Sequence, residues 1–179
     1  QGWGEPAGFS GYFVAKFDQA FAQFGTYQGE TVQVGQALLQ NQENIGAFVH
    51  FPNLENRVVT VKVGTSFTSL ENARQNLETE VGSKAFDDIR AETEAVWEDA
   101  LRKVEVTGSE DNKTIFYTAL YHSLLHPRLF SDVSGDYPSF AADTTVRNDP
   151  DFDYYDDFPM WDLYRAQLPL LHILYPEKT

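Results

Sequence analysis

The sequence contains no cysteine and few basic residues. Of its 179 residues, 13 are Lys or Arg and 27 are Asp or Glu, which gives a formal net charge of −14. Without cysteine the chain cannot form disulfides, thiolate metal sites or a cysteine nucleophile. The excess of negative charge argues against binding to nucleic acids or anionic membrane surfaces, because both would repel it. No apolar run approaches the roughly 20 residues that a membrane-spanning helix needs.

Apolar and aromatic residues are nevertheless abundant. Hydrophobic residues make up 42% of the sequence and aromatic residues 15%, which excludes a disordered acidic tail. The length is also sufficient to bury a substantial core. The 14 Phe, nine Tyr and three Trp exceed what such a core usually needs. They indicate either an unusually aromatic core or a surface that stacks on sugar rings, and composition alone leaves both open.

The first third of the chain has the pattern of antiparallel β-structure. In 11–18, apolar and polar side chains alternate as they do in a half-buried strand. Three further strands are expected at 31–39, 46–51 and 57–63, and a turn-rich connector is expected at 51–56. Regularly spaced short strands of this kind predict an antiparallel sandwich.

The period of the pattern changes to a helical one after Gly64. Thr68 and Glu71 have the spacing of a capping box, and the apolar stripe that follows predicts a helix ended by Gly82. A second amphipathic helix should follow, with Ser83 as its N-cap. Both helices have one polar face, which is typical of a connector that lies against a larger body.

Two more helices are expected in the second half. One, capped by Asp111, covers 112–126 and is apolar on nearly all sides, which is typical of a helix inside a larger assembly. The other begins near Pro159, a favourable first-turn residue, and extends to Leu174. Pro169 should kink this last helix, because proline lacks an N–H group.

Two groups of residues have the spacing of metal ligands. Asp149, Asp151 and Asp153 alternate like the start of an EF-hand calcium loop, but Tyr154 and Met160 occupy the positions that need Gly and Glu. An EF-hand is therefore excluded, and a solvated acidic loop is favoured.

His122 and His126 are four residues apart on a predicted helix, as zinc ligands can be. No glutamate lies between them and no third ligand is evident, so we interpret them as core or supporting histidines. The sequence also has no nucleophile elbow and no glycine-rich phosphate loop.

The stretch from Asp156 to Arg165 is the most unusual part of the sequence. On a helix, Trp161 and Arg165 would share a face, with Asp162 beside Trp161. A flat ring, a carboxylate acceptor and a guanidinium group together suit a polyhydroxylated ligand. The alternative is an amphipathic helix start with an Asp–Arg ion pair, and the residues alone leave both possibilities open.

Two long motifs resemble glycoside hydrolase family 92. They are KTIFYTALYHSLLHPRLFSDV at 113–133 and YYDDFPMWDLYR at 154–165, and shorter matching segments precede them in the family order: GYFVAKF at 11–17, VKVGTSF at 61–67 and ENAR at 71–74. Members of this family are calcium-dependent, inverting α-mannosidases. The resemblance therefore implies an exo-acting α-mannosidase that hydrolyses terminal α-mannosides.

The resemblance also implies a multidomain α+β fold. Residues 1–67 would be the late part of an N-terminal antiparallel β-sandwich, residues 68–106 a helical linker, and residues 107–179 the first helices of an (α/α)6 catalytic barrel. On this basis the chain is a segment of a larger enzyme.

The resemblance implies that three residues of this chain bind substrate. Asp162 would accept hydrogen bonds from mannose hydroxyls, O4 and O6 in particular, while Trp161 shapes the pocket and Arg165 orients Asp162 or reaches the sugar. No catalytic residue and no metal ligand is assigned in this chain. The catalytic acid, the base and the Ca2+ ligands are expected beyond Thr179.

The expected partners are a mannose-containing glycan and the remainder of the same enzyme, with no nucleic acid and no membrane. A secreted or periplasmic location is expected. Two alternatives stay open: a non-catalytic carbohydrate-binding module that uses Trp161, and a structural fragment of another α/α-barrel enzyme.

Overall fold

The computed structural model describes residues 10–52, 58–139, 143–157 and 159–178. By their contacts these residues divide into two units, one formed by Ala15–Val63 and the other by 10–14 together with 64–178. Part of the predicted connector at 51–56 and the start of the predicted strand at 57–63 lie outside the described residues.

Strands dominate the first part of the described chain, and short strands recur later. They are β1 (Tyr12–Phe17), β2 (Gln23–Gln28), β3 (Thr31–Val34), β4 (Ile45–His50), β5 (Val61–Ser66), β6 (Arg128–Leu129), β7 (Asp136–Pro138), β8 (Val146–Asn148) and β9 (Tyr155–Asp156). Strand β2 lies between β3 and β4 in an antiparallel sheet, and β1 pairs with β5. Strands β6 and β9 form one antiparallel pair, and β7 and β8 another.

Strand β2 has no counterpart among the sequence predictions, although it is the central strand of its sheet. Its register places Gly25 between Val34 of β3 and Phe48 of β4. A Cβ atom on Gly25 would lie 2.4 Å from the Gln33 carbonyl oxygen and 2.7 Å from the Phe48 ring. Glycine is therefore needed for close packing at this position, and it also breaks the apolar alternation by which a strand is recognised.

Helices dominate the part of the chain after β5. They are α1 (Leu70–Asn76), which continues as a π-helical segment (Leu77–Val81), α2 (Phe86–Arg102), α3 (Glu110–Ser123), α4 (Met160–Leu163), α5 (Gln167–Leu174) and a terminal 3₁₀ turn (Pro176–Lys178). The predicted order, antiparallel strands followed by helices, is confirmed. Gly82 ends the first helical stretch with a positive φ of 51°, as its sequence position predicts.

The first helix begins one residue later than the capping-box spacing predicts. Its N-cap is Ser69, whose side chain accepts a hydrogen bond from the Asn72 N–H group at 3.0 Å. The Thr68 hydroxyl donates instead to the Asp132 carboxylate. Because that distant carboxylate engages Thr68, the neighbouring serine caps the helix.

The N-caps of α2 and α3 also differ from their predictions. Helix α2 begins after Ala85, not Ser83, and the Asp88 carboxylate accepts a hydrogen bond from the Ala85 N–H group at 3.1 Å. Helix α3 is capped by Ser109, not Asp111. Both helices have acidic residues in the first turn, where the helix dipole favours them: Asp87 and Asp88 in α2, and Glu110 and Asp111 in α3.

The predicted final helix is two helices. Helix α4 ends at Leu163, and α5 begins at Gln167 after a turn. Pro169 is the third residue of α5, so it lies in the first turn of a helix and not in the middle of one, where a kink was predicted. The first four N–H groups of a helix have no partner within the helix, so a proline there removes no hydrogen bond.

The best-buried apolar side chains all lie in the unit that contains the helices. They are Ala73, Leu77, Leu120, Phe130, Leu163 and Leu171, each no more than 8% exposed. Phe130 also stacks on Phe67, with ring centres 4.5 Å apart. Helix α3 buries only Leu120 of its own residues, and its Ile115 is 68% exposed. The apolar faces of this helix are therefore only partly covered.

Gly64 packs closely against the first helical stretch and provides a test of this packing. A Cβ atom there would lie 2.3 Å from the Ala73 carbonyl oxygen and 2.6 Å from the Leu77 Cβ atom. We expect Gly64→Ala to destabilise the protein by about 1–3 kcal/mol, because the backbone must move to relieve the overlap. Thermal unfolding measures this loss. Gly11→Ala is the matched control, since among the described residues no heavy atom beyond its two chain neighbours lies within 4 Å of its added Cβ atom, and an equal loss there would contradict the packing explanation.

Candidate functional site

The candidate sugar-binding residues lie on and just after α4, a single helical turn. The Pro159 carbonyl oxygen accepts hydrogen bonds from the N–H groups of Asp162 at 2.8 Å and Leu163 at 3.1 Å. Leu163 is buried and anchors the turn. Trp161 is 82% exposed, and Asp162 is also exposed. The buried leucine therefore leaves the adjacent tryptophan and aspartate at the surface.

Trp161 and Arg165 both contact Tyr164. The Trp161 and Tyr164 rings are 6.4 Å apart, and the Arg165 guanidinium lies 5.3 Å from the Tyr164 ring centre. Arg165 also donates a hydrogen bond from Nε to the Tyr164 hydroxyl at 2.6 Å. Because α4 ends at Leu163, the helical spacing expected for Trp161 and Arg165 does not apply, and Tyr164 links them instead.

The Asp162 carboxylate makes no hydrogen bond or ion pair within the described residues, so the Asp–Arg pair considered from the sequence is not formed here. An exposed, unpartnered carboxylate can accept two or more hydrogen bonds from hydroxyl groups of a ligand. The three predicted residues thus lie close together in the chain, and Tyr164 joins two of them. Tyr164 was missed as a site residue, although the motif at 154–165 contains it.

A buried polar network supports the chain that leads to α4. Its centre is Asp132, which is 6% exposed and accepts hydrogen bonds from Ser66 at 2.9 Å, from Thr68, and from the Asn76 amide at 2.7 Å. The Val133 N–H group donates to the Asn76 side chain at 3.0 Å. The loop that follows β6 is thereby fixed to the start of the helical region.

Asp136 extends this network toward strand β8. Its carboxylate accepts hydrogen bonds from the Asn72 and Asn148 amides, both at 2.7 Å. These two bonds, that of Asn72 above all, lower the pKa of Asp136 below its usual value. The group is therefore a stable anion at neutral pH.

The same loop contacts Tyr154, at the start of the second long motif. The Tyr154 N–H group donates to the Ser131 hydroxyl at 2.6 Å, and the Tyr154 and Tyr137 rings stack with centres 4.7 Å apart. Contacts of this kind join residues far apart in sequence, so no local pattern could reveal them. They connect the first long motif to the second.

The acidic loop makes local contacts and one ion pair. Asp149 accepts a hydrogen bond from the Asp151 N–H group at 3.1 Å, and Asp153 forms an ion pair with Lys178 at 2.7 Å. Within the described parts of the chain, no group of three or more His, Asp or Glu side chains is placed to bind a metal ion. These residues therefore do not fit a calcium site.

Both predicted histidines are exposed in the described part of the chain, so neither belongs to its core, and a supporting role for them stays a prediction. His126 lines an apolar cavity of about 240 Å³, together with Trp97, Leu171 and Tyr175. His122 lies in an open groove along α3. Trp161, Asp162 and Arg165 line neither space. The candidate site is thus an exposed surface of these residues and not a closed pocket.

Family comparisons match both parts of the chain in order. Residues 1–66 match the N-terminal domain of glycosyl hydrolase family 92, and residues 72–179 match the catalytic domain of the same family. The catalytic-domain match begins at residue 72, so it contains all of α2 and all of α1 except Leu70 and Glu71. No curated protein sequence matches the chain significantly.

Several solved structures are similar to the chain. The family GH92 inverting mannosidase BT2199 from Bacteroides thetaiotaomicron is 30% identical with a TM-score of 0.84, over 96% of this chain and 23% of that one. The α-mannosidase BT3965 from the same organism is also 30% identical, with a TM-score of 0.80, over 90% of this chain and 22% of that one. It has also been solved in complex with mannoimidazole. The chain thus spans less than a quarter of the length of these relatives.

These matches bear out the predicted fold class, which is a family N-terminal β-domain followed by the start of the catalytic domain. Among the described residues, no helix combines the length and the apolar character needed to cross a bilayer.

Proposed function

Because the chain belongs to glycosyl hydrolase family 92, we propose that it is part of an exo-acting enzyme that hydrolyses terminal α-mannosides with inversion. The chain would contribute part of the mannose-binding subsite. The observation that carries this proposal is the ordered match to both family domains. The mannosidases among the similar structures, one of them solved with mannoimidazole, support mannose as the sugar.

The surface around α4 supplies groups that suit this sugar. Asp162 would accept hydrogen bonds from two mannose hydroxyls, and its exposed carboxylate makes no competing hydrogen bond or ion pair with the residues that the structure describes. Trp161 would contact the C–H face of the ring, and its 82% exposure leaves that face accessible. Arg165, oriented by Tyr164, would donate to a further oxygen of the sugar.

Inverting hydrolysis needs two further groups that we do not assign to this chain. An acid protonates the departing glycosidic oxygen while a base removes a proton from the attacking water, and the two carboxyl groups lie roughly 6.5–9.5 Å apart. We propose that both, together with the Ca2+ ligands, belong to other parts of the full-length enzyme. The described residues then bind and orient the substrate.

The predicted boundaries form part of the proposal. Residues 1–67 would belong to the β-sandwich, 68–106 to a linker and 107–179 to the beginning of an (α/α)6 barrel, whose other helices would cover the exposed faces of α3. The remainder of the enzyme and a mannose-containing glycan are the proposed partners, and a secreted or periplasmic location is proposed with them. The absence of cysteine is compatible with that location and does not require it.

The test is an assay of the full-length protein with matched glycosides. We expect cleavage of an α-mannoside, with β-mannose as the first product detected by proton NMR, and no cleavage of the β-mannoside or the α-glucoside. A chelator should abolish turnover and added Ca2+ should restore it. Undiminished activity after calcium removal would refute the calcium requirement alone. An absence of α-mannoside cleavage in the presence of Ca2+ would refute the enzymatic proposal, and mannose binding without turnover would favour the binding-module alternative.

A further inference from the structure

The chain segment that precedes α4 follows a very short antiparallel strand pair. Strands β6 and β9 contain two residues each, with Arg128 opposite Asp156 and Leu129 opposite Tyr155. One further backbone hydrogen bond, from the Phe130 N–H group to the Tyr154 carbonyl oxygen at 2.8 Å, extends the ladder. So short a ladder defines the direction of the following chain only weakly.

The chain changes direction directly after β9. Asp157 has a φ of 66°, in the left-handed region that non-glycine residues rarely adopt. Aspartate is among the residues that tolerate this conformation, because its short polar side chain can hydrogen-bond nearby. The Asp157 N–H group donates to the Asp156 carboxylate at 2.7 Å. In the sequence, Phe158 alone separates this turn from Pro159.

Arg128, in strand β6, forms an ion pair with Asp157 in this turn. Its Nε atom and one terminal guanidinium nitrogen both contact the same carboxylate oxygen of Asp157. The Arg128 side chain is 61% exposed, and ion pairs this exposed add little to global stability. The expected effect of the pair is therefore on local geometry.

We propose that Arg128 and Asp157 are positioning residues for the sugar-binding surface. Their ion pair fixes the left-handed turn, the turn sets the direction in which the chain reaches Pro159, and Pro159 begins the helical turn that presents Asp162. The inference rests on the proposed role of Asp162 in binding mannose. Neither positioning residue needs to touch the sugar.

The test uses single and combined variants of the full-length enzyme. We expect Arg128→Gln and Asp157→Asn each to lower kcat/KM for an α-mannoside about tenfold, as small displacements of positioned groups do, with little change in Tm. The double variant should lose no more than either single variant, because both changes break one ion pair. Arg128→Lys should recover part of the activity, because it keeps the charge.

Making the Arg128→Gln change in the Asp162→Ala variant distinguishes a positioning role from a general structural role. In Asp162→Ala, the further change Arg128→Gln should have no additional effect on kcat/KM, because the positioned carboxylate is already absent. Arg147→Gln is the matched control: Arg147 is also exposed and paired with an aspartate, Asp143, at 3.2 Å, and we expect wild-type activity.

Three results would overturn the inference: wild-type kcat/KM in Arg128→Gln, losses that simply add in the double variant, or an undiminished effect in the Asp162→Ala background. Failure of the proposed function is a separate result, since the wild-type enzyme would then not cleave the α-mannoside at all.

Discussion

Asp162→Ala in the full-length enzyme is expected to lower kcat/KM for α-mannosides by roughly 30-fold or more, which corresponds to about 2 kcal/mol of transition-state stabilisation. The reason is that hydrogen bonds between hydroxyl groups and a charged acceptor contribute about 1.5–3 kcal/mol each. The Asp162 carboxylate has no partner among the described residues, so its removal breaks no internal contact. Tm should therefore stay close to that of the wild type.

Two further variants sharpen this result. Asp162→Asn keeps one acceptor oxygen and removes the charge, so its kcat/KM should lie between those of the wild type and Asp162→Ala. Glu94→Ala removes another exposed carboxylate from α2 and should leave turnover unchanged. Wild-type turnover in Asp162→Ala would instead favour a purely structural role for the α4 segment. Michaelis–Menten kinetics on the same α-mannoside distinguish these outcomes.

Asp132→Ala is expected to destabilise the protein by about 3–5 kcal/mol. Three buried or half-buried donors, from Ser66, Thr68 and Asn76, would lose their common acceptor, and each unsatisfied group costs about 1–3 kcal/mol before local relaxation. Such a loss is a large part of the 5–15 kcal/mol that stabilises a typical domain. Thermal unfolding should show a decrease in Tm of about 10 °C.

Milder variants keep this prediction testable if Asp132→Ala fails to fold. Thr68→Val removes one of the three donors to Asp132, together with the acceptor of the Asn72 amide at 2.8 Å, with little change in shape, and we expect it to lower stability by about 1–3 kcal/mol. Asp151→Ala is the control, because Asp151 is exposed and its carboxylate makes no hydrogen bond or ion pair with the described residues. An equal decrease in Tm for Asp132→Ala and Asp151→Ala would show that the network does not stabilise the fold.

The elements that the sequence predicted correctly are those with a local cause. Alternating side chains identified β1, and Gly82 identified the end of the first helical stretch, because these signals depend on neighbouring residues. Strand β2 was missed because Gly25 is fixed by two other strands. Thr68 was misassigned for the same reason, since Asp132, which engages its hydroxyl, is distant in the sequence. Long-range contacts thus account for both errors.

The candidate site shows the same division. Trp161, Asp162 and Arg165 were found because they are close in the sequence, and their family motif carried the assignment. Their arrangement was not predictable from helical spacing, because α4 ends at Leu163 and Arg165 lies beyond it on Tyr164. Arg128 and Asp132 lie far before Asp162 in the sequence, and the residues that bind Asp132, Ser66, Thr68 and Asn76, lie earlier still, so these contacts have no local signature. The roles of the three site residues remain predictions for the experiments described above.

The β6–β9 pair closes a long excursion of the chain, since it joins residues 128–129 to 155–156. Inside that excursion, β7 and β8 form a second antiparallel pair. Extending a loop that is already closed at its base adds little entropic cost. Insertions between β7 and β8 should therefore change the stability of the fold little, whereas substitution of Arg128 or Asp157, which form an ion pair at the base of the excursion, should alter the turn that leads to α4.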